Sequence, residues 1–152
     1  MKGILTLFLL LPGLIWGAFT ELQIDTLQQI CSYFKVDSNL MLAIAEQESD
    51  YNWEAIGNSG EVGAFQVKPG TFIWLRDSIA ARYELGNLEG VSVEKFKKTP
   101  VRQMEASVLF VRWLQDQYQE EESLMQLVLM RYNASSNKEA YAEEVLKIYQ
   151  GL

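Results

Sequence analysis

The chain contains no histidine and a single cysteine, Cys31. With neither imidazole nor a cysteine pair it has no zinc-type ligand set, and no Ser-His or Cys-His nucleophilic system is possible. A lone cysteine also excludes an internal disulfide. The residues before it, Leu27-Gln28-Gln29-Ile30, lack the small side chains of a lipoprotein cleavage site, so Cys31 reads as a buried, inert thiol. Positive charge is scarce: 13 Lys and Arg against 20 Asp and Glu leave a formal net charge of -7. No basic stripe offers a footprint for nucleic acid, which is excluded as a partner. An acidic surface also repels anionic membranes and polymers at long range, so an anionic substrate has to be held by local contacts that overcome that field. Internal repeats, low-complexity tracts and linkers are absent. Past the N-terminal segment no apolar run reaches the length of a membrane span.

What is present suits one compact domain. The 152 residues are 49% hydrophobic and 22% charged, enough to build a core and unlike a disordered tail. At the N-terminus, Lys2 is the only charge before Glu21, Ile4 to Trp16 is almost wholly apolar, and Gly17-Ala18 supplies small residues. This is the layout of a secretory signal peptide over residues 1–17, with an exported domain over 18–152. An uncleaved membrane anchor is the competing reading, for which the apolar run is short.

Hydrophobic periodicity predicts an all-α domain of six helices. The first runs from about Glu21 to Phe34, with Thr20 and Gln23 spaced as a capping box and Leu27, Ile30, Cys31 and Phe34 inward. The second starts at Asp37 or Ser38 and ends near Asp50. A loop punctuated by Gly57, Gly60 and Gly63 follows, with Ala64 to Val67 as a short extended piece. Pro69 opens a third helix with Phe72, Leu75 and Ile79 as its apolar face. Gly86 and Gly90 mark another loop. Thr99 and Pro100 read as an N-cap and first helical residue before a helix carrying Met104, Val108, Val111 and Leu114. The last two helices cover about Glu121 to Tyr132 and Lys138 to Tyr149, the latter with Tyr141, Val145, Ile148 and Tyr149 inward.

The chemistry gathers at the end of the second helix. Leu40, Ile44 and Glu48 are spaced by four, so Glu48 continues the stripe that faces the core. Glu46 lies about 200° around the helix from Glu48, at 100° per residue, and is expected in solvent. A carboxyl on an apolar face is costly to ionise and its pKa rises. That is what a general acid needs to keep its proton near neutral pH. A helix-end glutamate that merely reaches water or an arginine is the competing reading.

Around Glu48 the pattern extends. Ser49 follows it; Gly60-Glu61-Val62-Gly63-Ala64-Phe65-Gln66 comes next, before Pro69 and Thr71; Arg131-Tyr132-Asn133-Ala134 lies far downstream at a helix end. Together, and in this order, these segments resemble the lytic transglycosylases of the soluble, goose-lysozyme-like superfamily. That family has a Glu-Ser pair at a helix end, a Gly-x-x-Gly-x-x-Gln loop and a Tyr-Asn-Ala-Gly segment. The resemblance covers roughly Leu22 to Tyr149.

The resemblance implies a lysozyme-like fold, and cleavage of peptidoglycan between N-acetylmuramic acid and N-acetylglucosamine with an anhydromuramic product and no water. It implies Glu48 as catalytic acid and then base, and Ser49 as the neighbour that helps position substrate or intermediate. Gln66 is the loop glutamine lining the sugar groove, Tyr132 the tyrosine whose hydroxyl bonds the catalytic carboxyl, and Asn133 its companion. No cofactor and no metal is implied. The chain departs from the family at Ser135, where glycine is usual, at Ala64-Phe65 in place of Leu-Met, at Trp53 in place of proline, and at Gln103 and Ser107 in place of Asn and Gly. These departures bear on subsites, not on the acid.

Among Tyr51, Trp53, Phe65, Trp74 and Trp113, Phe65 is the best placed to touch glycan, being next to Gln66. Glu61 is the best candidate for a second acid. Two other readings stay open: a goose-type muramidase that uses water, and a wall-binding or assembly module without turnover. A small exported domain with no separate wall-binding module also suits an enzyme that opens the wall for a larger cell-envelope secretion machine.

Overall fold

The structure is a computed structural model that describes residues 18–84, 88–119, 124–133 and 136–152; the expected signal segment lies outside the described residues. The chain is all-α, and its elements begin where local chemistry dictates. Helix α1 (Glu21–Phe34) starts with the expected capping box: the Gln23 N–H donates to Thr20 Oγ1 (3.2 Å) and the Thr20 N–H to Gln23 Oε1 (2.9 Å). Helix α2 (Ser38–Ser49) is capped by Asp37, whose carboxylate accepts the Asn39 N–H at 2.8 Å. It stops because Asp50 and Tyr51 both adopt left-handed backbone (φ 53° and 62°), a conformation L side chains disfavour and helices cannot continue.

Pro69 opens α3 (Pro69–Trp74), which runs into a π-helical turn (Leu75–Ile79) and a 3-10 turn (Ala80–Tyr83). The expected apolar face is present, since Phe72, Leu75 and Ile79 are all buried. Helix α4 (Val93–Lys98) was not expected. It is too short to show a period; its single buried anchor is Phe96, stacked on Phe72 at 4.3 Å. Thr99 and Pro100 do start α5 (Pro100–Gln117), although the Thr99 side chain makes no capping bond. Helices α6 (Leu124–Tyr132) and α7 (Lys138–Gly151) complete the set.

Helix α5 runs through the core against α1 and α6, while α7 packs on α2 and α6. Leu40, Ile44, Leu109 and Leu129 are at most 1% exposed, and full burial of such side chains contributes about 1.5–3 kcal/mol each. Among the described residues there is no strand. Only two isolated antiparallel bridges occur, Ile56 with Val62 and Val62 with Val67. The expected extended piece at Ala64 to Val67 is instead a tight turn, with left-handed Gly63 and Gln66 (φ 76° and 48°), and only Val67 pairs. No helix among the described residues is long and apolar enough to cross a membrane.

Candidate active site

A groove of about 420 Å³ lies at the C-terminal ends of α2 and α6, between them and the glycine loop. Its floor and walls include Glu48, Glu61, Gln66, Lys68, Phe110, Tyr132 and Asn133. Glu48 reaches it as the last member of the Leu40–Ile44 stripe. Burial raises the Glu48 carboxyl from its ordinary value to about 7, offset in part by hydrogen bonds from Tyr141 and Asn133 and reinforced by the negative charge of Glu61. The group is therefore poised to give up and recover a proton near neutral pH.

Tyr141 enters from α7. Its hydroxyl is buried and, among the described residues, meets no acceptor at full hydrogen-bond geometry, so its contact with Glu48 is looser than a well-formed bond. It still favours the carboxylate form. Burial first, and the Glu48 charge second, push the Tyr141 hydroxyl well above the usual tyrosine range, which keeps it a neutral donor.

The glycine loop is held to the helix end by a small set of polar side chains. Ser49 Oγ donates to the Ala64 carbonyl (2.9 Å) and accepts the Asn52 N–H (2.9 Å). Gln103, 1% exposed on α5, accepts the Ala64 N–H (3.2 Å) and donates to the carbonyls of Trp53 (3.3 Å) and Lys97 (2.9 Å). Gly63 makes this possible: a Cβ there would land on the Gln103 amide. Gln66 Nε2 bonds the Gly63 and Ala55 carbonyls (2.9 and 3.3 Å). Gly57 leaves room for the side chains of both Gln66 and Glu61. Across the groove mouth, Glu61 pairs with Lys68 at 3.4 Å. Slight burial pushes the Glu61 carboxyl up, but bonds from its own and the Ser59 N–H groups, with the Lys68 ammonium, outweigh this and hold it below its ordinary value. Glu61 thus stays ionised at pH values where Glu48 still holds much of its proton.

Glu48, Gln66, Tyr132 and Asn133 all meet at this groove, but four expectations need correction. The Tyr132 hydroxyl does not bond Glu48; it donates to the Phe65 carbonyl at 2.8 Å, because the turn at Gly63 to Gln66 aims that carbonyl at the end of α6. The Phe65 ring does not face glycan. It is fully buried, 6.0 and 5.9 Å from the rings of Phe19 and Trp53, since the same turn sends it into the core. The Ser49 hydroxyl serves the loop and does not line the groove. Glu46 is not free in solvent: it accepts the Tyr51 hydroxyl at 2.9 Å.

Tyr141, Gln103 and Phe110 were not anticipated as site residues. Periodicity placed Tyr141 inward without revealing what it meets. Phe110 reaches the groove beside Tyr132, with ring centroids 5.3 Å from Tyr132 and 6.3 Å from Trp113. Among the described residues no cluster of acidic or cysteine side chains could hold a metal ion.

The fold is similar to that of an inactive mutant of the lytic transglycosylase Slt from Pseudomonas aeruginosa, with a TM-score of 0.67 and 16% identity, over 82% of this chain and 23% of that one. This chain thus spans less than a quarter of that protein, and at this identity the likeness is one of fold. Among curated proteins nothing matches the chain. The family model of the transglycosylase SLT domain matches residues 25–145. On that match, which covers most of its length, the chain belongs to the transglycosylase SLT-domain family.

Proposed function

We propose that the protein is an exported peptidoglycan lytic transglycosylase in which Glu48 acts first as acid and then as base. The observation that carries this reading is one carboxyl, on the apolar stripe of α2, whose pKa burial raises to about 7 and which lines a groove of about 420 Å³. Glu48 gives its proton to the glycosidic oxygen as the bond to the muramyl C1 breaks. The resulting carboxylate accepts the proton of the muramyl C6 hydroxyl as that oxygen bonds to C1. The proton count closes, an anhydro ring forms and no water is consumed. Because the attacking hydroxyl is tethered to the ring, intramolecularity takes the place of a bound nucleophile. Tyr141 and Asn133 favour the carboxylate form that the second step needs. The inactive mutant of the similar Slt structure and the SLT family match support glycan-strand cleavage as the reaction class, and a wall substrate supports export.

A second reading rests on Glu61. An ionised carboxylate in the same groove as a protonated one is the pair that glycosidases using water employ, and this favours a goose-type muramidase. Mass spectrometry of products from purified peptidoglycan tests both. Anhydromuramic ends are expected; reducing ends would mean hydrolysis. No release under any condition, with binding retained, would leave a wall-binding module.

A further inference from the structure

The groove has a charge balance unlike that of the molecule around it. The chain's formal charge is -7, and a field of that sign repels an anionic polymer at long range. Among the described residues, the charged side chains lining the groove are Glu48, Glu61, Lys68 and Arg131. Glu61 and Lys68 compensate each other across 3.4 Å. Near neutrality Glu48 carries at most a fractional charge, because burial holds its proton. Arg131 stands in the last turn of α6, immediately before Tyr132 and Asn133, and is exposed. It forms no ion pair among the described residues. Among the described residues, the uncompensated charge of the groove is therefore a guanidinium, the side chain whose planar fork matches a carboxylate.

We propose that Arg131 receives a carboxylate borne by the substituent on the muramyl sugar, so that the groove selects anionic glycan strands over neutral ones. The proposal rests on the peptidoglycan reading above. Asn133, two positions along, bonds Glu48, so a strand placed for protonation by Glu48 brings its substituents close to Arg131. Two sources supply the same chemistry: the lactyl carboxylate exposed when the peptide is removed, and the free carboxylates of an intact peptide stem. In either case one local contact offsets the repulsion of the acidic surface.

The test is binding to protein carrying Glu48→Gln, which arrests cleavage, with and without Arg131→Gln. Three soluble probes are used: peptide-bearing glycan chains, chains stripped to the lactyl group by an amidase, and neutral N-acetylglucosamine oligomers of matched length. At low salt we expect at least one anionic probe to bind about fivefold more tightly than the neutral one, the range of a partly exposed ion pair. Arg131→Gln should abolish that preference and Arg131→Lys restore part of it, with the gain shrinking as salt rises. The anionic probe that loses more in Arg131→Gln identifies the source. Equal Kd values for all three probes, or an equal loss on all three in Arg131→Gln, would overturn the proposal. A wild type that releases no anhydro ends, while the Arg131-dependent preference holds, would overturn the lytic reading and leave carboxylate recognition standing.

Discussion

Glu48 combines two consequences of one burial. With its pKa raised from 4.5 to about 7, the folded protein binds more protons than the unfolded chain between those values. Stability therefore falls as pH rises through that window, and the penalty is fully present above pH 7. At 1.36 kcal/mol per unit it is on the order of 3 kcal/mol. Glu48→Gln should raise the thermal midpoint at pH 8, leave it nearly unchanged at pH 4, and lower release of anhydromuropeptides by about 10²–10⁴-fold or more. Glu143, exposed on α7, is the control: Glu143→Gln should change neither. A folded Glu48→Gln protein with near-normal release would remove Glu48 as the acid.

The two tyrosines separate by the same logic. Tyr141 stabilises the Glu48 carboxylate, so Tyr141→Phe should move the alkaline limb of the pH profile of kcat/KM upward. A limb that stays in place would show that the hydroxyl has no bearing on Glu48. Tyr132→Phe strips the Phe65 carbonyl of its donor and should cost about 1–3 kcal/mol of stability, measured by denaturant titration.

At the scale of elements, the α2 end and the glycine loop behave as one unit because Gln103 joins them to α4 and α5 through Trp53, Ala64 and Lys97. Gln103→Ala leaves buried backbone groups without partners and should cost about 2–4 kcal/mol. Gly63→Ala meets two penalties, a left-handed φ of 76° and a clash with the Gln103 amide. The backbone part is worth about 1–2 kcal/mol. A double-mutant cycle tests the contact: Gly63→Ala should be less damaging in a Gln103→Ala background, since the clash is then gone. Additive losses would mean that Gly63 is kept for its backbone alone. The loop presents Gln66 to the groove and the Phe65 carbonyl to Tyr132, so both substitutions should also lower kcat without abolishing it.

For the whole molecule, Cys31 is a built-in probe. It is 1% exposed on the buried face of α1, and burial, aided by the charge of Asp37, pushes its thiol up to about 12. A buried and protonated thiol does not attack a disulfide reagent. Labelling of native protein should therefore be slow and should follow global unfolding across a denaturant series. Fast labelling under native conditions would mean that α1 opens separately from the rest.

The local code determined much of this protein by itself. Capping chemistry set the starts of α1 and α2 and a proline at the first helical position that of α5, apolar period set their inward faces, and a spacing of four carried Glu48 onto the buried stripe. These are properties of neighbours within a few residues, and a sequence displays them directly. It did not display α4, whose single anchor Phe96 is recognisable only beside Phe72. Nor did it display which groups meet the acid. The partner of a hydroxyl depends on how remote helices cross and how a tight turn aims its carbonyls. Tertiary packing brought Tyr141 to Glu48 from α7, sent Tyr132 to the Phe65 carbonyl, turned the Phe65 ring into the core and placed Gln103 across the loop. Among the described residues it left Arg131 as a groove cation outside any ion pair, because pairing of charges is decided by distances in space that no local period encodes.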